Sequence, residues 1–192
     1  MEHQAKKPRL QPLSMDEMKP EWLEILKRIP GDGLKGKYAP VNVLGNLMYN
    51  PETLGQFLDY WVTSKLKMGF SVREQELVIL RMAYLYSCNY VWQHHIPVAV
   101  EFGVNETELA GLKEEKIPAV YSPREYAILV LTDEMMNQRN VSDASWQACK
   151  PFLSDSEMID LISLISQYVL FALTNNVMRV QVEANLNDIP TL

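Results

Sequence analysis

A short pattern recurs along this 192-residue chain: Ser or Asn, followed three positions later by Glu, at the edge of an apolar run. It stands at Ser14/Glu17, Ser71/Glu74, Asn105/Glu108, Ser122/Glu125 and Ser154/Glu157. Such a pair is a capping box: the Ser or Asn oxygen accepts from an N–H of the first helical turn, and the Glu carboxylate reaches back to the N–H of the capping residue. Asn50 before Pro51 is a further helix start, with proline where its missing N–H does no harm, and Ser142 opens another short helix. Apolar residues at helical spacing follow these signals. Met18, Trp22, Ile25, Leu26 and Ile29 form one set, and Leu54, Phe57, Leu58, Trp61, Val62 and Leu66 another. Tyr126, Leu129, Val130 and Met136, with Asp133 and Glu134, form a third, and Ile159, Ile162, Ile165, Val169 and Leu173 a fourth. Stop signals stand at Pro30-Gly31-Asp32-Gly33 and at Gly103. No segment alternates as a half-buried strand does, so the chain reads as an all-α bundle.

Apolar residues at 47% and charged residues at 22% are ordinary for a globular domain. Residues 1–13, with Lys6, Lys7 and Arg9 beside Pro8 and Pro12, read as a solvated N-terminal arm, and residues 14–192 as one helical domain. A net charge of −6 and a pI near 5.1 argue against nucleic acid, whose binding draws on Lys and Arg. No uninterrupted run of apolar residues has the length of a membrane span, and the first residues lack the apolar core of a signal peptide. Cys88 and Cys149 do not form a disulfide framework, so a cytoplasmic protein with reduced thiols is expected. His94 and His95 are adjacent, His3 lies in the arm, and no pair has the i, i+4 spacing of helical zinc sites. Gly31, Gly33 and Gly36 do not have phosphate-loop spacing. No metal and no cofactor are expected.

The helix opened by Ser71 is apolar at nearly every position over residues 77–86, with Arg81 as the interruption. A helix apolar on most sides is buried on most sides, either at the centre of the bundle or under a partner subunit. After a turn at residues 87–89, the next helix carries Trp92, His95, Val98 and Phe102, with Pro97 inside it. Glu76, Cys88 and His95 are the reactive groups of this pair. Cys88 and His95 share a face but stand about 10 Å apart along the axis, with Val91 between them. Glu76, on the preceding helix, can fold back alongside. A carboxylate and an imidazole in an apolar pocket can pass protons, with burial expected to raise the carboxyl pKa. Arg81, a turn and a half beyond Glu76, can hold a substrate carboxylate or pair with Glu76. His94 points away from the Cys88–His95 face, and Cys149 reads as inert.

The stretch from 73 to 103 contains Arg-Glu-Gln-Glu-Leu-Val-Ile-Leu-Arg, then Cys-Asn-Tyr-Val-Trp-Gln-His-His-Ile-Pro-Val-Ala, then Glu-Phe-Gly-Val. It resembles the central motif of the carboxymuconolactone decarboxylase, or AhpD-like, family: a Glu twelve residues before Cys-x-x-Cys-x-x-x-His. Glu76, Cys88 and His95 match, while Val91 stands where the second cysteine would be. Tyr90, Trp92 and His95 instead match a Tyr-x-Trp-x-x-His variant of the motif. The resemblance implies an AhpD-like helical bundle, assembled as a homotrimer or homohexamer. It also implies a small-molecule site with Glu76, His95 and Cys88 as catalytic residues and Arg81, Val91, Trp92 and Tyr90 around the substrate. Without a second thiol, the two-cysteine peroxidase cycle of the alkylhydroperoxidase branch is not expected. The resemblance then implies Glu/His proton transfer, in decarboxylation or a related lyase or isomerase reaction, on a small carbonyl, lactone or carboxylic acid. Two alternatives stand beside it: a single-cysteine, peroxiredoxin-type activity through Cys88, and a non-catalytic helical binding or assembly module.

Overall fold

Nearly every helix-start signal in the sequence sits at a helix start in the computed structural model, which describes residues 7–29, 39–186 and 188–192. The helices are α1 (Pro20–Leu26), α2 (Val41–Leu47), α3 (Pro51–Lys67), α4 (Val72–Leu85), α5 (Asn89–Glu101), α6 (Glu106–Gly111), α7 (Pro123–Gln138), α8 (Asp143–Cys149) and α9 (Asp155–Met178). No strand occurs among the described residues. Ser14 is the exception. Its box caps a single 3-10 turn, Met15–Glu17, and the chain is extended at Met18 and Lys19 before α1 begins at Pro20. Proline disfavours helical backbone in the residue before it, which splits the one helix expected from Ser14. The Pro30–Gly33 stop lies outside the described residues.

The capping glutamates do a second job. In Glu74, Glu108, Glu125 and Glu157 one carboxylate oxygen (Oε2) accepts from the helix's own N-cap residue. The other (Oε1) accepts from an arginine of another element: Arg73 reaches Glu108 and Glu125, and Arg124 reaches Glu74 and Glu157. Two guanidinium groups thus tie together the N-termini of α4, α6, α7 and α9, as charge-assisted bonds.

α4 runs through the centre. Every residue from 75 to 83 is buried, and α5, α7 and α9 pack around it. The chain itself therefore buries this segment, so it is not held open for a partner subunit. Side chains such as Leu77, Ile79, Leu80 and Met82 contribute about 1.5–3 kcal/mol each by leaving water. The α4–α5 turn places Ser87 at φ 50°, and the Cys88 N–H closes on the Ala83 carbonyl at 2.8 Å. This left-handed C-cap turns α5 back along α4. α9, at 24 residues, is long and apolar enough to cross a membrane by length and composition alone. Here its inward stripe of Leu161, Leu164, Ile165, Tyr168, Ala172 and Asn175 is buried, and the helix packs on α3, α4 and α5. Its outer face exposes Ile159, Ile162, Leu170, Leu173 and Val177.

The first and last described segments are tied to this body. Arg9 N–H donates to the Met178 carbonyl at 2.9 Å, and Asn46 Nδ2 donates to the Leu10 carbonyl, so the described part of the N-terminal arm lies on the bundle. After Arg179, at φ 56°, the chain returns over α5, where Gln93 Nε2 donates to the Ile189 carbonyl at 2.6 Å.

Candidate functional site

Antiparallel packing of α5 on α4 brings His95 Nδ1 to 2.6 Å from Glu76 Oε2. Glu76 is fully buried. Burial works to raise its carboxyl, yet the His95 ring beside it and Lys65, at 3.6 Å from Oε1, outweigh that and hold it below the usual carboxylate range. The expectation that burial would dominate is corrected by these two partners. An ionised Glu76 places the proton of the His95–Glu76 bond on Nδ1, so in the neutral ring Nε2 carries the lone pair. Nε2 faces the Tyr168 hydroxyl at 3.3 Å. Burial and the nearby Glu76 charge push the Tyr168 phenol well up, so it stays protonated and donates.

His95 opens onto a cavity of about 180 Å³. Val91, His94, His95 and Val98 of α5 line it at i, i+3, i+4 and i+7, one continuous helix stripe. Tyr90 also lines it, with Pro40, Val43, Trp61, Tyr168, Phe171 and Asn175 from the surrounding elements. A second carboxylate–imidazole pair stands beside the first: His94 Nε2 lies 2.6 Å from Glu183 Oε2. Glu183 Oε1 accepts from Tyr90 Oη and from the Asn42 N–H, each at 2.8 Å. Burial would raise Glu183, but His94 and these hydrogen bonds lower it further than burial raises it. His94 was expected to point away. Instead the cavity spans the face between positions 94 and 95, so the two rings straddle it.

Of the residues read from the sequence, Glu76 and His95 are in contact, and Tyr90 and Val91 line the cavity beside them. Three others lie elsewhere. Arg81 does not reach the cavity or Glu76; its guanidinium is bidentate on Asp133, at 2.6 Å twice, and donates to the Leu112 and Glu114 carbonyls. With those donors occupied by α7 and the α6–α7 connection, Arg81 is not placed to bind a substrate carboxylate. Trp92 is buried away from the cavity, with Lys113 Nζ 5.4 Å from its ring centre. Cys88, the N-cap of α5, is sealed in the core outside the cavity lining, and burial pushes its thiol up to about 11. That is the opposite of what an attacking thiolate needs. Cys149 is also buried, and its thiol donates to the Ala127 carbonyl.

Lys65, Tyr168, Asn175 and Glu183 were not legible as site residues. Tyr168 and Asn175 left a trace: they are polar interruptions, seven apart, on the inward stripe of α9. Glu183 left none, because it reaches the site only through the fold-back after Arg179. Among the described residues no group of three or more His, Cys, Asp or Glu converges as a metal set.

Residues 51–134 match the profile of the Carboxymuconolactone decarboxylase family. The matched stretch, less than half of the chain, is the one that supplies Glu76, Cys88 and His95. No curated protein matches the sequence. Solved structures do match. An uncharacterized peroxidase-related protein from Silicibacter sp. TM1040 is 16% identical with a TM-score of 0.78, covering 98% of this chain and 99% of its own. An alkylhydroperoxidase AhpD core protein, peroxidase-related, from Ralstonia eutropha JMP134 is 16% identical with a TM-score of 0.77, covering 93% and 94%. A cysteine-to-alanine variant of the debrominase Bmp8, in complex with 2,3,4-tribromopyrrole, is 14% identical with a TM-score of 0.76, covering 95% of each chain. At such identities the likeness is one of fold.

Proposed function

We propose that this protein is a small-molecule enzyme in which His95 Nε2 takes and returns a proton on a carbonyl- or lactone-type substrate held in the cavity. The observation that carries the reading is the 2.6 Å contact between His95 Nδ1 and a fully buried, ionised Glu76, with the opposite nitrogen facing an apolar cavity. Glu76 fixes the tautomer and orientation of the ring and stabilises the imidazolium that forms when Nε2 takes a proton. Lys65 keeps Glu76 charged, and Tyr168 is a protonated donor beside the reacting nitrogen, suited to an oxygen that gains charge. The fold also houses a small ring compound in a neighbour, the debrominase complex. The reading takes the chain as a homo-oligomer, with the exposed apolar stripe of α9 as the surface offered for contact.

The test is proton exchange. In D2O, the wild-type chain is expected to exchange the acidic C–H protons of members of a panel of small cyclic ketones and lactones, followed by NMR. His95→Ala should slow that exchange by about 10²-fold or more, the range for losing a positioned acid–base group, and Glu76→Gln should slow it in the same direction. Cys88→Ser should leave it unchanged. Consumption of an organic peroxide, with a thiol reductant, by the wild type but not by Cys88→Ser would replace this reading with thiol chemistry. No exchange above background with any member of the panel, and no peroxide consumption, would leave the scaffold as a binding or assembly module.

A further inference from the structure

The polar side chains of the cavity wall are engaged with one another. The Tyr90 hydroxyl donates to Glu183 Oε1 at 2.8 Å, and its oxygen accepts from the Val43 N–H at 3.3 Å. Glu183 Oε2 holds His94 Nε2, and Glu76 Oε2 holds His95 Nδ1, each at 2.6 Å. His95 Nε2 already faces a donor, the Tyr168 hydroxyl. The Trp61 indole nitrogen is turned towards the Tyr168 oxygen without closing a hydrogen bond. Asn175 Nδ2 donates to the Phe171 carbonyl, while Asn175 Oδ1, like Glu76 Oε1, has less than 1 Å² of accessible surface. Among the described lining side chains, a molecule in the cavity therefore meets no acceptor that is both exposed and unengaged.

What the cavity does offer is apolar contact. Pro40, Val43, Trp61, Val98 and Phe171 make the walls apolar and aromatic. A volume of about 180 Å³ is close to the ~150 Å³ of an engineered apolar cavity that takes up benzene. Among the described lining residues there is no Lys or Arg. The nearest cation of the dyad, Lys65, faces Glu76, and Arg81 is held by Asp133. Two carboxylates, Glu76 and Glu183, stand directly behind the cavity histidines. A bound anion would meet negative charge and no counter-ion. A ligand O–H or N–H would leave water and find no acceptor, which is the costly case of a buried unpaired donor.

We infer that the cavity binds a neutral, single-ring compound that carries no O–H, N–H or charge, selected by shape and apolar contact. For the substrate this rests on the acid–base reading given above, and it narrows that reading. The hydrogen that His95 exchanges is then on carbon, which needs no hydrogen-bond acceptor while the substrate is at rest. The substrate is a ring ketone or lactone without hydroxyl or carboxylate groups.

Calorimetric titration of the full-length chain at neutral pH with two matched pairs, toluene with phenol and cyclohexanone with cyclohexanol, and with benzoate tests this. Toluene is expected to bind about tenfold or more tighter than phenol, the effect of burying one unpaired donor. Cyclohexanone should bind severalfold tighter than cyclohexanol; both have the same ring, so apolar area does not supply that preference. Benzoate should show no binding at concentrations where toluene saturates. Phenol as tight as toluene, cyclohexanol as tight as cyclohexanone, or benzoate binding would overturn the assignment, as would failure of both toluene and cyclohexanone to bind. Val98→Thr puts a hydroxyl acceptor on the wall at nearly unchanged volume, and should raise phenol relative to toluene by about tenfold. No gain for phenol in the folded variant would show that unpaired donors are not what the cavity rejects, and would overturn the assignment too. Should that variant fold poorly, the wild-type titrations alone decide the ligand class. Deuterium exchange on cyclohexanone separates the two readings. Binding without exchange leaves the ligand class standing and ends the acid–base reading. Exchange by a wild type that prefers phenol and cyclohexanol keeps the acid–base reading and ends the ligand class.

Discussion

Replacing Arg81 with Met should unfold this protein more readily than any single change at the cavity, without altering what the cavity binds. The guanidinium is 1% exposed and makes four hydrogen bonds: two to Asp133 at 2.6 Å and one each to the Leu112 and Glu114 carbonyls at 2.8 Å. Hydrogen bonds to charged groups contribute about 1.5–3 kcal/mol each, so a naive sum approaches ~10 kcal/mol. Desolvating the guanidinium offsets much of that, and breaking a buried pair by removing one partner costs about 3–5 kcal/mol net. Most of this loss comes from what is left behind: a largely buried Asp133 with no counter-charge, and two carbonyls just beyond α6 with no donor. For a domain of this size roughly 2–4 °C of Tm accompanies each kcal/mol, giving a fall of about 6–20 °C. Urea denaturation followed by circular dichroism reads the free energy directly. Asp133→Leu in the same background should recover part of the loss, because it removes the stranded charge. A loss below about 1 kcal/mol, or normal stability with selectively weakened ligand binding, would refute the argument and return Arg81 to the site.

Two further outcomes follow from the same structure. Glu183 is held below the usual carboxylate range in the fold, so its contribution is present above the ordinary carboxylate pKa and is lost as pH falls through the lowered value. Glu183→Gln should therefore lower stability near neutrality and flatten its decline towards acid, measured as the urea midpoint from pH 7 to 3; an unchanged pH profile would show that the Glu183–His94 pair does not hold the C-terminal segment. The exposed apolar stripe of α9 predicts self-association, and Leu170→Glu with Leu173→Glu should shift the sedimentation of the purified chain to that of a monomer. A wild type that already sediments as a monomer would remove this surface from the oligomer reading.

Local chemistry in the sequence determined where helices begin. Ser71, Asn105, Ser122 and Ser154 act within four residues of themselves, and so they could be read without knowing the fold. The Glu76–His95 pairing was legible for a related reason: a tight turn between two helices leaves antiparallel return as the short path, and the motif spacing then sets the register. Even Pro20 carried its own warning against a continuous first helix, in the residue before it.

Long-range placement decided the rest. Arg81 was one of several charges near Glu76 in sequence, and only the packing of α7 on α4 revealed Asp133 as its partner. The capping glutamates did not show in sequence that their second oxygens would bind Arg73 and Arg124. Glu183, Tyr168 and Asn175 reach the cavity from beyond residue 160, and their positions depend on the length of α9 and on the fold-back after Arg179. Side chains that meet across such separations have no periodicity linking them; their encounter is fixed by how complete helices stack, and that is a property of the packed core.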